Sequence, residues 1–179
     1  NYGQPLELKR VLKLGVKDYN VKAEFSPDEV LKKVHKYLDP GQVTDADPKK
    51  STSDIKILVV EDDSFLYSLI AERFVKEGYK ILTAMDGAQT LKVLETEIPD
   101  LILLDIIMPG MNGLEVLKKV KSDPKYNSVS VIIFSNLGQE SEIEEAKKLG
   151  ADDFLVKAKF TLKEVVDKIN ALLKKKGRL

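Results

Sequence analysis

The chain has 179 residues, 43% hydrophobic and 32% charged, with a formal net charge of zero. That balance is globular and leaves no electrostatic footprint for nucleic acid, and the length suffices for one well-cored domain plus a fragment. There are no cysteines and one histidine, His35, on what reads as an exposed helix face, so disulfides, thiolate metal sites and His-ligated clusters are excluded. No apolar run suits a membrane span and the opening Asn1-Tyr2-Gly3-Gln4-Pro5 lacks a signal-peptide pattern, so a cytoplasmic protein is expected.

In chain order, residues 1–38 read as helix, strand, helix. Ser26 as N-cap, Pro27 at the first helical position and Glu29 closing a capping box open the second helix. The strand, Tyr19-Asn20-Val21, places Asn20 where an apolar residue is expected. Residues 39–54 hold two prolines, a glycine and many short polar residues, and read as a linker. Residues 55–176 then alternate. Strand-length apolar runs are Ile55–Val60, Tyr79–Ala84, Leu101–Leu104, Val129–Phe134 and Phe154–Val156.

Helical spacing lies between the runs. Phe65, Leu66, Leu69, Ile70, Phe74 and Val75 give one apolar face, and the segments around Leu91, Leu117, Ala146 and Ile169 give four more. Gly78 and Gly150 are expected C-terminal caps, and Thr161-x-x-Glu164 a capping box. Continuous apolar strands alternating with helices imply an α/β, doubly wound, five-stranded parallel sheet covered on both faces.

The chain also repeats itself. Shifted by 135 positions and with no gap, residues 1–38 match residues 136–173 at 16 of 38 positions. Roughly one in sixteen is expected from average composition. The matches include polar residues such as Asn1, Gln4 and Lys22, which shared amphipathicity does not explain. Residues 1–38 thus duplicate the last third of the following domain.

Ligands of such sheets sit at the carboxyl ends of the strands. There the sequence places Glu61-Asp62-Asp63, Asp105, Ser135 and Lys157. Clustered carboxylates repel one another, a divalent cation relieves this, and oxygen-only ligands favour Mg2+, with Mn2+ the alternative. A carboxylate in that setting can take a phosphoryl group as an acyl phosphate, with a lysine neutralising the transferred oxygens.

Four stretches together resemble the receiver domain of two-component response regulators. They are Ile57-Leu-Val-Val-Glu-Asp-Asp63, Pro99-Asp-Leu-Ile-Leu-Leu-Asp-Ile-Ile-Met-Pro-Gly-Met-Asn-Gly113, Phe134-Ser135 and Phe154-Leu-Val-Lys157. The resemblance covers residues 55–175. It implies a flavodoxin-like fold, with Asp105 as phosphoacceptor. Glu61 (mainly through a water), Asp62, Asp105 and the backbone carbonyl of Ile107 would hold the metal. Ser135 and Lys157 would meet the phosphoryl group, and Ser135 with Phe154 would form the switch. Asp63 lies one residue beyond the usual acid pair.

The implied partners are a histidine kinase or phosphotransfer protein as donor and a downstream protein, with no nucleic acid or membrane. Signalling would run through the face of helix 4, strand 5 and helix 5, in an acceptor that is not a turnover enzyme. A non-phosphorylated receiver-fold interaction module or scaffold is the alternative. An aspartate phosphatase or mutase would want a second Asp where Ile107 stands. A dinucleotide or flavin protein would want a Gly-rich loop after strand one.

The family usually has proline after the lysine, often with a cis bond, where this chain has Ala158. A cis bond before a non-proline residue costs about 2.5–4 kcal/mol. Ile107 and Leu137 occupy positions that flank the hydrolytic water in the family. Neither can hydrogen-bond a water, so slow autodephosphorylation is expected. Residues 1–38 carry no acid pair or phosphoacceptor, though they keep Lys22. Either the chain is part of a longer tandem-receiver protein cut inside the upstream receiver, or the spare unit docks on a receiver, as in a domain-swapped dimer. No output domain is expected after Lys174-Lys-Lys-Gly-Arg-Leu179.

Overall fold

The computed structural model describes residues 54–179. The expectations for residues 1–38, including Lys22 and His35, and for nearly all of the 39–54 linker lie outside the described residues.

Among the described residues, five strands and five helices alternate: β1 (Lys56–Val60), α1 (Ser64–Lys76), β2 (Lys80–Ala84), α2 (Gly87–Thr96), β3 (Leu101–Leu104), α3 (Gly113–Ser122), β4 (Ser130–Ser135), α4 (Glu140–Lys148), β5 (Asp153–Val156) and α5 (Leu162–Lys175). All pairings are parallel and the order is β2-β1-β3-β4-β5, the flavodoxin-like arrangement.

The continuous apolar strands are explained by two cores. Ile57, Val59, Leu101, Leu103, Ile132 and Phe134 pack on one face with residues of α1 and α5. Their neighbours Leu58, Val60, Ile102, Leu104, Val131 and Ile133 pack on the other with residues of α2, α3 and α4. Alternate side chains point to opposite faces, so a strand buried on both must be apolar throughout.

The caps stand where the sequence places them. Gly78 and Gly150 follow α1 and α4 at φ +89° and +95°, a region that L side chains rarely adopt. Thr161 and Glu164 form the capping box of α5. One expectation fails in detail: Phe65 and Val75 are 42% and 59% exposed. The buried stripe of α1 runs through Leu66, Ile70 and Phe74 at intervals of four. A helix turns about 100° per residue, which carries the positions beside that stripe toward solvent.

At the end of the sheet opposite the strand carboxyl termini, Asp152 ties three elements together. Its carboxylate accepts from Val131 N (2.9 Å) and Lys121 Nζ (3.2 Å) and pairs with Lys176 (3.0 Å). Burial pushes the Asp152 carboxyl up, but the Val131 N–H, Lys176 and Lys121 outweigh it and hold the group below its ordinary value of 3.8. This stabilisation is therefore present in full above about pH 4 and is lost as pH falls through the lower folded value. Asp152→Asn is expected to cost about 1–3 kcal/mol at pH 7 and to flatten the acid limb of stability against pH. Urea melts from pH 7 to pH 3 check this. Parallel acid limbs for the two proteins would contradict it.

Candidate functional site

The order of the strands reverses between β1 and β3, and the carboxyl ends on either side of that point carry the acids. Glu61 leaves β1 with its N–H bonded to Ala84 O (3.1 Å), and Asp105 leaves β3 with its N–H bonded to Val60 O (3.1 Å). These bonds continue the sheet ladder, so the backbones of both acids are set by rigid strands. Ligand oxygens of Glu61, Asp62 and Asp105 all lie within 4.8 Å of one another. Glu61 and Asp105 are buried at 2% and 5% exposure, while Asp62 is exposed.

From the end of β5, Lys157 reaches both buried acids, with Nζ 2.7 Å from Glu61 Oε2 and 2.5 Å from Asp105 Oδ2. The other Asp105 oxygen accepts the N–H of Ile107 (3.1 Å), which ties down the loop bearing the Ile107 carbonyl. Ser135, the last residue of β4, is fully buried, and its Oγ has no hydrogen-bond partner. Buried hydroxyls are normally paired, so an unpartnered one is an exception.

Burial pushes the Glu61 carboxyl above its ordinary value. Lys157 and the Asp63 backbone oppose the rise, and Asp105 adds to it. Burial works against the charge of Lys157 too, but hydrogen bonds and charge from Asp105 and Glu61 outweigh it and hold its amine above the ordinary value. Lys157 is therefore a firmly charged ammonium between two acids.

The side chains of the remaining sequence candidates do not join the cluster of carboxylates and ammonium. Asp63 is the N-cap of α1 and accepts from Phe65 N and Leu66 N at 2.9 and 3.1 Å, so its carboxylate is spent on the helix. Phe154 is half-buried and packs against the α2–α3–α4 core, as does Leu137. Ile107 is 52% exposed. Among the described residues no peptide bond is cis, so Lys157–Ala158 is trans, and Lys157 opens a short 3₁₀ turn to Lys159.

Two glycines shape the site without having been assigned a role from sequence. Gly113 starts α3 directly beneath Asp105, where a Cβ would overlap the Asp105 carbonyl oxygen. Gly87 starts α2 against the same β3–α3 loop, where a Cβ would lie 2.9 Å from Met111 O. Asp86-Gly87 and Asn112-Gly113, each a cap residue followed by glycine at a helix start, was the available signal.

The response regulator receiver domain model matches residues 57–170. The chain belongs to the response regulator receiver domain family. Among its relatives, sporulation initiation phosphotransferase F of Bacillus subtilis is 39% identical over 118 residues, 66% of this chain and 93% of that protein. Transcriptional regulatory protein CpxR of Escherichia coli K12 is 39% identical over 120 residues, 67% of this chain and 50% of that protein. The solved receiver domain of the Francisella response regulator 1452 superposes with a TM-score of 0.62 at 32% identity, covering 69% of this chain and 99% of that one. The match thus spans nearly all of the phosphotransferase and about half of the transcriptional regulator. Family membership makes this receiver domain a phosphoacceptor module of two-component signalling.

Proposed function

We propose that Asp105 takes the phosphoryl group, from a histidine kinase or phosphotransfer protein, with Mg2+ (or Mn2+) held by Glu61, Asp62, Asp105 and the backbone carbonyl of Ile107. The observation that carries this reading is the convergence of three carboxylates with a buried ammonium and an unpartnered buried hydroxyl at one sheet end. The donor set suits a hard cation: it is all oxygen, and the chain has no cysteine and a single histidine, outside this cluster. When bound, the cation neutralises the carboxylates and the incoming phosphoryl oxygens.

The chain's own residues supply the rest. An Asp105 oxygen attacks phosphorus, and the bond from phosphorus to the donor breaks with its electron pair leaving on the donor. Lys157 then has anionic phosphoryl oxygens to follow, and the Ser135 hydroxyl gains the acceptor it lacks. Movement of Ser135 changes the packing beside Phe154 and carries the signal to the face of α4, β5 and α5, where a downstream protein reads it. The domain acts as an acceptor and not as a turnover enzyme.

Residues 1–38 are best explained as the end of an upstream receiver in a tandem protein. The duplicate departs from residues 136–173 at two anchoring positions: Lys17 corresponds to Asp152, which pairs with Lys121, and Asn20 corresponds to the buried Leu155. A copy with these residues suits this sheet poorly, which favours the tandem origin over a domain-swapped dimer.

Thermal melts with and without MgCl2 test the acid site. Binding to the folded state alone stabilises it by about 2.7 kcal/mol at a hundred times Kd. The wild type is expected to melt higher with Mg2+, and Asp62→Ala and Asp105→Asn to lose most of that rise. A wild type indifferent to Mg2+ favours the scaffold reading instead.

A further inference from the structure

We propose that Phe134 is a positioning residue for Lys157, its ring face supporting the ammonium beside Asp105. Phe134 precedes Ser135 in β4, pairs in register with Leu155, and is 3% exposed. It lies close to Glu61 and Asp105. Lys157 Nζ lies over its ring, 5.8 Å from the centroid.

An ammonium has three N–H donors. Two of those on Lys157 are used by Glu61 and Asp105, and its side chain is only 8% exposed, so water does little for the remaining side. The Phe134 ring is a further neighbour of this ammonium, its centroid 5.8 Å from Nζ. Its negative face attracts a desolvated cation, which an aliphatic side chain such as leucine would not do. Lysine is a point charge on a flexible four-carbon stem, so its placement depends on what surrounds it.

The ring has a further advantage over a third carboxylate. The proposal rests on Asp105 being the acceptor: as phosphorus bonds to Asp105, negative charge moves outward to the phosphoryl oxygens and the ammonium must follow it. A ring face attracts the cation without fixing it in one hydrogen bond, so it supports Lys157 both before and after that displacement.

The test replaces Phe134 by leucine and by pentafluorophenylalanine, which keeps the ring shape and reverses its quadrupole. Two quantities are read: the Lys157 ε-methylene proton shifts without Mg2+, and the phosphorylation rate with acetyl phosphate and Mg2+. The ring current is expected to move those protons upfield in the wild type, and the leucine variant to abolish that shift. The pentafluoro variant is expected to melt with the wild type, to show altered Lys157 shifts, and to phosphorylate about five- to tenfold more slowly. Wild-type shifts and a wild-type rate in the pentafluoro variant would overturn the proposal. A wild type that takes no phosphoryl group overturns the reading of Asp105, and the Lys157 shifts, which need no donor, then decide the ring contact alone.

Discussion

Asp105→Asn is expected to take no phosphoryl group from acetyl phosphate while remaining folded. An amide oxygen is a poor nucleophile and has no anionic charge to carry into an acyl phosphate. The substitution is otherwise gentle. Asn keeps an oxygen able to accept from Lys157 or from Ile107 N, the two donors Asp105 now serves. It removes one of three mutually repelling carboxylates whose ligand oxygens lie within 4.8 Å. Lys157 also retains Glu61 at 2.7 Å, so the ammonium is not stranded. Stability near that of the wild type together with complete loss of uptake separates this outcome from simple unfolding. Asp105→Leu would be less clean, because it strips Lys157 of one of two partners at a buried position, a change that costs several kcal/mol in general.

The second large effect concerns how long the phosphoryl group stays. Ile107 is exposed two residues past Asp105, and its backbone N–H is already used on the Asp105 carboxylate. Its side chain offers nothing to a water attacking phosphorus. We expect a long-lived phosphoryl state, and an Ile107→Asn variant that loses the group about fivefold faster. That factor corresponds to a gain of about 1 kcal/mol, one typical hydrogen bond. Adding Leu137→Glu is expected to speed the loss further at a cost in stability, because Leu137 packs against the core. Decay of the phosphorylated species, followed by Phos-tag gel or mass, measures each lifetime. A wild-type lifetime no longer than that of the double variant would sink this expectation.

Much of this was legible from the residues. Strands buried on both faces must be apolar throughout, so the runs from Ile55, Leu101 and Val129 announced a parallel sheet without any alternation. Gly78 and Gly150 marked helix ends because a positive φ is cheap only there. The acids, Ser135 and Lys157 could be placed because each directly follows an apolar run, and a strand end is a definite place in such a fold.

Less visible were features that depend on two elements meeting. Nothing local shows that Gly113 lies under the Asp105 carbonyl, that Asp152 joins Lys121 and Lys176, or that the Phe134 ring lies beneath Lys157. Spacing alone put Phe65 and Val75 on the apolar face of α1, because periodicity gives the direction of a stripe and not its width. The pairing of Glu61 with Lys157 was likewise unforeseen. It joins residues 96 positions apart, and only the fold sets their distance.

Asp105 as phosphoacceptor is the central proposal for this protein. Intact-mass spectrometry after incubation with acetyl phosphate and Mg2+ tests it most directly, with wild type and Asp105→Asn side by side. One phosphoryl adduct is expected on the wild type and none on the variant. An unmodified wild type, or equal adducts on both proteins, would contradict it.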